Sequence, residues 1–445
     1  MKQRISRMTA ALALSLLALL TVSCSPAGTE NGSDTTSAFT EGASLTDSET
    51  VTEAATHTEQ PDSTAEDTVE VTIETTGETT VDTTAEVTSE PTTEEATPSP
   101  DTEAPTEEAT EEDTESETFP MDLLQNPLST GNAPDPVVVY HEGYYYATFT
   151  EALGIAIYRS QDLKTVLTDE KNIIMNLCDE VQGNVWAPEL HYNPATDRWY
   201  VYASGSTNGW DFFSIRMFCL ESVTNDPFGE YVFKGYTDPD VLAIDQTVFY
   251  DETDGTLYTA YSQFTDKGQV IMLAVMENPW TISDKRMEVS YPKYTWEKKG
   301  KTEGKDERVN EGPVFLCHEG KLSLIYSASG CWSEYYCLGL LEFTGGDRSP
   351  DSIMDANNWN KHKQPIFRAA NEVYGVGHCF FFHTPDGRTW ISYHGMATPD
   401  AGEGGRYMYV QPITFDESGL PVLGEPLSRD TLIPYPSVQA PEEAD

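Results

Sequence analysis

Alternating apolar and polar residues recur in blocks along the chain beyond residue 120, and each block opens on a polar side chain. Asp135 leads Pro-Val-Val-Val-Tyr, Asp245 leads Gln-Thr-Val-Phe-Tyr, and Glu311 leads Gly-Pro-Val-Phe-Leu. Pro-Glu-Leu-His-Tyr at Glu189 and Gly-His-Cys-Phe-Phe at His378 complete a series of five, spaced 54, 56, 66 and 67 residues apart. Behind each opening stands a turn signal and then an aromatic strand of period two: YYYATFT, RWYVYAS, TLYTAYS, KLSLIYSAS and RTWISYHG. A third strand follows in every copy (GIAIYRS, FFSIRMF, QVIMLAV, YYCLGLL, YMYVQPITF), and runs such as YVFKG and QPIFR supply a fourth. Four-stranded units repeated at this period predict an all-β fold, a five-bladed β-propeller with one polar group per blade aimed at a common axis.

The pattern is absent from the first part of the chain. Lys2, Arg4 and Arg7 precede an apolar run from Met8 to Leu20, which is short for a membrane span and reads as a secretion signal. Small residues before Cys24 resemble a bacterial lipoprotein signal, in which that cysteine carries the lipid, although Thr21 stands where leucine is commoner. Residues 25–118 are rich in Thr, Glu, Ser, Asp and Pro, with almost no large apolar side chains. The 27–118 stretch holds 27 acidic residues and no Lys or Arg. Such a chain buries too little apolar surface to offset its entropy, and it is expected to be disordered. As a coil it spans about 50–60 Å, enough for a stalk. The expected organisation is therefore a lipoprotein-type signal peptide at 1–24, a linker at 25–118 and a propeller domain at 119–445. The protein is expected outside the cytoplasm, held to the cell membrane only through Cys24.

Charge narrows the partners. The whole chain carries −48, and residues 119–445 carry −24 from 23 basic and 47 acidic residues. That sign disfavours nucleic acid and anionic membrane surfaces and is compatible with a neutral polysaccharide. Of the cysteines beyond residue 118, Cys219, Cys317 and Cys379 fall in predicted strands, and Cys331 and Cys337 are close enough in sequence to pair across a loop. Doubled Cys-x-x-Cys motifs, a His-x-x-x-His pair and a phosphate-cradling glycine loop are all missing, which speaks against zinc hydrolysis and nucleotide chemistry.

Carboxylates converging on one axis are the equipment of glycosidic bond hydrolysis. Asn132-Ala-Pro-Asp-Pro-Val, Trp186-Ala-Pro-Glu-Leu, Ile244-Asp-Gln-Thr-Val-Phe, Asn310-Glu-Gly-Pro-Val-Phe and Gly377-His378 occur in order, and together they resemble glycoside hydrolase family 43. The resemblance covers 121–430. Glu277-Asn-Pro-Trp280, Tyr294-Thr-Trp-Glu-Lys and Arg406 ahead of Val410-Gln-Pro-Ile are most similar to its exo-acting α-L-arabinofuranosidases. It implies inverting hydrolysis, with Asp135 as general base, Glu311 as general acid and Asp245 as the carboxylate that orients the acid and raises its pKa. It further implies Trp186, Arg406 and His378 as substrate-binding residues.

No cofactor is required by that chemistry. A structural Ca²⁺ near the axis at His378 is the one metal the resemblance admits, though no Asp-rich calcium loop is present. The substrate implied is α-L-arabinofuranose at the ends of arabinan or of arabinose-decorated plant polysaccharides and oligosaccharides, acted on by a monomer. A β-xylosidase, an endo-arabinanase or a non-catalytic carbohydrate-binding lipoprotein of the same fold are the other readings. The long interval before Glu311 is expected to loop out between Trp280 and Asn310 and to wall off one side of the cleft, favouring exo action.

Overall fold

The structure is a computed structural model that describes residues 120–302 and 304–437. The expected signal, the expected lipidation site Cys24 and the whole of the expected 25–118 linker lie outside the described residues. Five antiparallel sheets follow one another along the chain, and in each the strands pair in sequence order. The first is built from Val137–His141, Tyr144–Thr148, Gly154–Ser160 and Glu170–Asn176. The second uses Gly183–Asn193, Arg198–Ser206, Ile215–Ser222 and Tyr231–Tyr236. The third uses Ala243–Asp251, Thr256–Thr265, Gly268–Asn278 and Thr281–Ser290. The fourth uses Asn310–His318, Lys321–Ala328, Cys337–Phe343 and Trp359–Lys361. The fifth has three strands, Tyr374–His383, Thr389–Met396 and Arg406–Pro412. These are the five blades of the expected propeller.

Each innermost strand carries the same local device. Its ladder shifts register, skipping two residues after Trp186, Ile244, Glu311 and Gly377. In the first blade Pro134 pairs with Thr150 and Val137 with Thr148, so Asp135 and Pro136 are skipped in the same way. The first skipped residue has a left-handed backbone throughout: Asp135 (φ 58°), Ala187 (46°), Asp245 (60°), Gly312 (50°) and His378 (46°). A bulge of this kind bends the strand and re-aims one side chain, here towards the axis.

This register corrects the series read from sequence. The equivalent of Asp245 in the second blade is Ala187 rather than Glu189, and in the fourth it is Gly312, with Glu311 one residue earlier. Glu189 is buried two residues beyond the bulge position and is bonded to His191 Nε2 at 2.7 Å.

The ring closes without a shared sheet. Asn126 bonds both ways to the backbone of Val410, at 2.7 and 2.9 Å, and the Leu128 amide donates to the Met408 carbonyl. The Ala133 amide donates to Arg406 O, so residues 126–133 run along the outer edge of the fifth blade in place of a fourth strand. Met121–Gln125 then pairs with Leu432–Pro436. QPIFR, expected as a strand, contributes only a bridge at Phe367 to Leu338; Trp359–Lys361 takes the outer position instead. Apolar residues from the inner strands (Val137, Leu190, Val314, Cys379, Phe380) share one buried cluster. Among the described residues no helix is long and apolar enough to cross a membrane.

Candidate active site

A cavity of about 570 Å³ receives residues from all five blades, and Asp135, Asp245, Glu311, Trp186, His378 and Arg406 all line it. The bulges explain this convergence: three of the six stand at the left-handed position, and Trp186 and Glu311 immediately precede it.

Asp135 is buried and heavily held. Its Oδ2 accepts the Thr150 hydroxyl at 2.6 Å, while Oδ1 faces His378 Nδ1 at 3.2 Å and Arg406 Nη1 at 3.6 Å. Burial alone would raise its pKa, but the His378 and Arg406 charges outweigh that and hold the carboxyl well below the usual range. The Asp135 amide donates to His394 Nδ1 at 3.2 Å, which leaves that ring's proton on Nε2. Burial pushes His394 down to about 4, so it is a neutral acceptor near pH 7.

Glu311 is driven the other way. Its Oε1 accepts the Tyr336 hydroxyl at 2.9 Å and Oε2 accepts Gln269 Nε2 at 2.8 Å. Burial and then the Asp245 charge push its pKa up to about 7, against the pull of the Tyr336 bond. Asp245 Oδ2 accepts the Gly312 amide at 3.0 Å, which ties the third blade to the backbone directly after Glu311. Burial raises Asp245 as well; His378 opposes the rise and the Asp135 charge adds to it. Two carboxyls of one cavity therefore differ in protonation near neutral pH, Asp135 ionised and Glu311 holding its proton for much of the time. That is an acid and a base in a single site.

A model of the glycosyl hydrolases family 43 matches residues 124–421. The chain belongs to glycoside hydrolase family 43. Its sequence is 33% identical over 322 residues to the extracellular exo-α-(1→5)-L-arabinofuranosidase of Streptomyces avermitilis, covering 68% of this chain and 63% of that protein. It is 32% identical over 278 residues to the Streptomyces chartreusis enzyme of the same name, covering 60% of this chain and 80% of that one. The match thus spans somewhat less than two thirds of the first relative's length. The solved α-L-arabinofuranosidase from Lactobacillus brevis superposes with a TM-score of 0.61 at 29% identity, over 69% of this chain and 98% of that one.

Within this family 43 site, His378 has a double anchor. Its amide donates to Ser327 Oγ at 2.8 Å and its ring lies over Gly312. Burial alone would depress its pKa, but Asp135, Asp245 and Glu311 raise it above the ordinary value. Its Nδ1 is thereby committed to Asp135, and among the described residues no group of three His, Cys, Asp or Glu side chains could hold a metal ion. Trp186 stands in the cavity wall beside Phe212, with ring centroids 6.4 Å apart. Arg406 Nε donates to the Glu403 carbonyl at 3.1 Å, which steers the guanidinium towards Asp135.

Four supporting residues escape a reading of the sequence: Thr150, Gln269, Tyr336 and His394. Each lies outside the anchor motifs and reaches the site through folding alone. The Tyr336 ring stacks on His394 at 5.2 Å and fills the place where a Cβ on Gly377 would stand, 2.4 Å from it. All six described cysteines are free, so Cys331 and Cys337 do not pair; Cys331 lines the cavity.

Proposed function

We propose that this family 43 protein is an inverting glycoside hydrolase that releases terminal α-L-arabinofuranose from arabinan or arabinose-decorated plant polysaccharides and oligosaccharides. The observation that carries the reading is the opposed protonation of Asp135 and Glu311 within one cavity. Ionised Asp135 takes a proton from a water as its oxygen bonds to the anomeric carbon. Glu311 gives its proton to the glycosidic oxygen as that bond breaks, and Asp245 orients Glu311 through the Gly312 amide. One displacement inverts the anomeric centre, and solvent exchange then returns each carboxyl to its starting state. Trp186, Arg406 and His378 bind the sugar. The choice of arabinofuranoside rests on the names of the relatives, which support it.

Residues 119–445 are the catalytic unit in this reading. Residues 1–24 are a lipoprotein-type signal and 25–118 a stalk that places a monomeric enzyme outside the membrane at Cys24. The signal-like sequence supports that placement, as do relatives described as extracellular.

The test is hydrolysis of 1,5-α-L-arabino-oligosaccharide, β-1,4-xylo-oligosaccharide and linear arabinan, with anomeric protons followed by NMR in the first minutes. Monosaccharide arabinose appearing as the inverted anomer, while long arabinan chains persist, is expected. Xylose release, early mixed oligosaccharides or the retained anomer would each overturn the corresponding part of the proposal.

A further inference from the structure

The three carboxylates sit on the cavity floor, 6–9% exposed. Trp210 lines the same cavity and yet is 47% exposed, which places it at the mouth.

The backbone turn beneath the ring is firmly tied. The turn that carries it is closed by the Thr207 amide on the Ser214 carbonyl and the Asp211 amide on the Asn208 carbonyl. The neighbouring Gly209 amide donates to Gln182 Oε1 at 3.0 Å, and Asp211 caps the short 3₁₀ turn Phe212–Ser214 through the Phe213 amide. Phe212 turns inward, 6% exposed, and packs on Phe264 with centroids 5.0 Å apart. Gly183 lies under the indole: a Cβ there would stand 3.0 Å from Trp210 Cδ2 and 2.7 Å from the Gly209 carbonyl oxygen. One face of Trp210 therefore rests on bare backbone and the other is presented outward at the mouth. Leu153, 55% exposed, adds a second apolar side chain to the rim.

We infer that Trp210 forms a binding subsite for the sugar on the leaving-group side of the scissile bond, stacking its indole on the apolar face of that ring. The inference rests on the proposed release of a terminal sugar. With that sugar on the floor beside the carboxylates, whatever is attached beyond the glycosidic oxygen leaves through the mouth, where Trp210 stands. Stacking on an aromatic ring contributes enough to shift affinity by about tenfold. The site then prefers an oligosaccharide to an isolated glycoside, without contact between Trp210 and the reacting atoms.

The experiment compares Trp210→Ala and Trp210→Phe with the wild type on 1,5-α-L-arabinotriose and on methyl α-L-arabinofuranoside, whose leaving group is too small to reach the indole. For Trp210→Ala, kcat/KM on the trisaccharide is expected to fall about tenfold, mostly through KM, while the methyl glycoside changes less than twofold. Trp210→Phe should recover most of the loss. Equal losses on both substrates would make Trp210 a structural or floor residue and overturn the inference, as would an unchanged trisaccharide. If the wild type cleaves β-1,4-xylotriose and not arabinotriose, the arabinoside reading fails. The ratio of xylotriose to methyl β-D-xyloside then decides the subsite by the same criterion.

Discussion

Asp135 and Glu311 are both buried carboxyls, and what separates them is the company each keeps. Asp135 faces two cations; Glu311 faces neutral donors and another carboxylate. In the proposed mechanism the acid must hold its proton, so the rate should fall as pH rises through about 7. Asp135 stays ionised far into the acid range and imposes no limb near its ordinary value. Glu311→Gln and Asp135→Asn should each cut turnover on oligosaccharide by about 10²–10⁴. The Gln variant should recover on an activated aryl leaving group, which departs with little protonation, and the Asn variant should not. Glu311→Gln should change stability in the opposite sense to activity. Glu311's folded pKa, about 7, lies above its ordinary 4.5. Its protonated form is therefore the one folding favours, and a penalty accumulates between those pH values and is complete above them. Glu311→Gln removes that penalty, on the order of 1–3 kcal/mol. Thermal unfolding should show the variant more stable than wild type at pH 8 and equal to it at pH 4.5.

At the scale of the element, the repeated bulge is what turns five ordinary strands into a site. A left-handed backbone at a non-glycine residue costs about 1–3 kcal/mol, and the chain carries it at Asp135, Ala187, Asp245 and His378. In the fourth blade the position is Gly312, and the reason is space: a Cβ there would stand 3.1 Å from His378 Nδ1 and 3.2 Å from Ser327 Oγ. Gly312→Ala should therefore displace His378 from Asp135, lowering stability by about 1–3 kcal/mol and activity more than tenfold. Urea denaturation and initial rates check both; an active, equally stable variant would mean that the His378 contact is dispensable.

The interval before Glu311 shows where pattern reading falls short. Thr281–Ser290, expected to belong to the loop, is the outer strand of the third blade, so the excursion starts at 291. It is pinned as well: Glu297, fully buried, accepts the Lys293 and Tyr294 amides at 2.6 Å each and pairs with Lys361. Glu307 brings this segment to the cavity.

For the molecule as a whole, stability depends on closing the ring, and the closure is made by a segment with no strand-like pattern of its own. Asn126 is 3% exposed and satisfies both the amide and the carbonyl of Val410. Asn126→Ala should leave both without a partner and cost about 1–3 kcal/mol, seen as a lower urea midpoint with an unchanged slope and an unchanged rate at 25 °C. An unaltered midpoint would show that the closure at Val410 is not holding the ring. Sequence by itself determined the number of blades and the first three strands of each, because a period of two and a recurring polar opening are local properties of the chain, and the family resemblance singled out Asp135, Asp245 and Glu311 among the openings. It misaligned the openings at Glu189 and Glu311, because a bulge shifts which residue points inward without altering the alternation around it. The partners of those carboxylates were decided by tertiary structure alone. Thr150 and Tyr336 reach Asp135 and Glu311 from other strands or loops of the same blades, Gln269 reaches Glu311 from the neighbouring third blade, and His394 reaches Asp135 only because the fifth blade closes on the first. Protonation follows those partners, so the division into acid and base belongs to the folded ring.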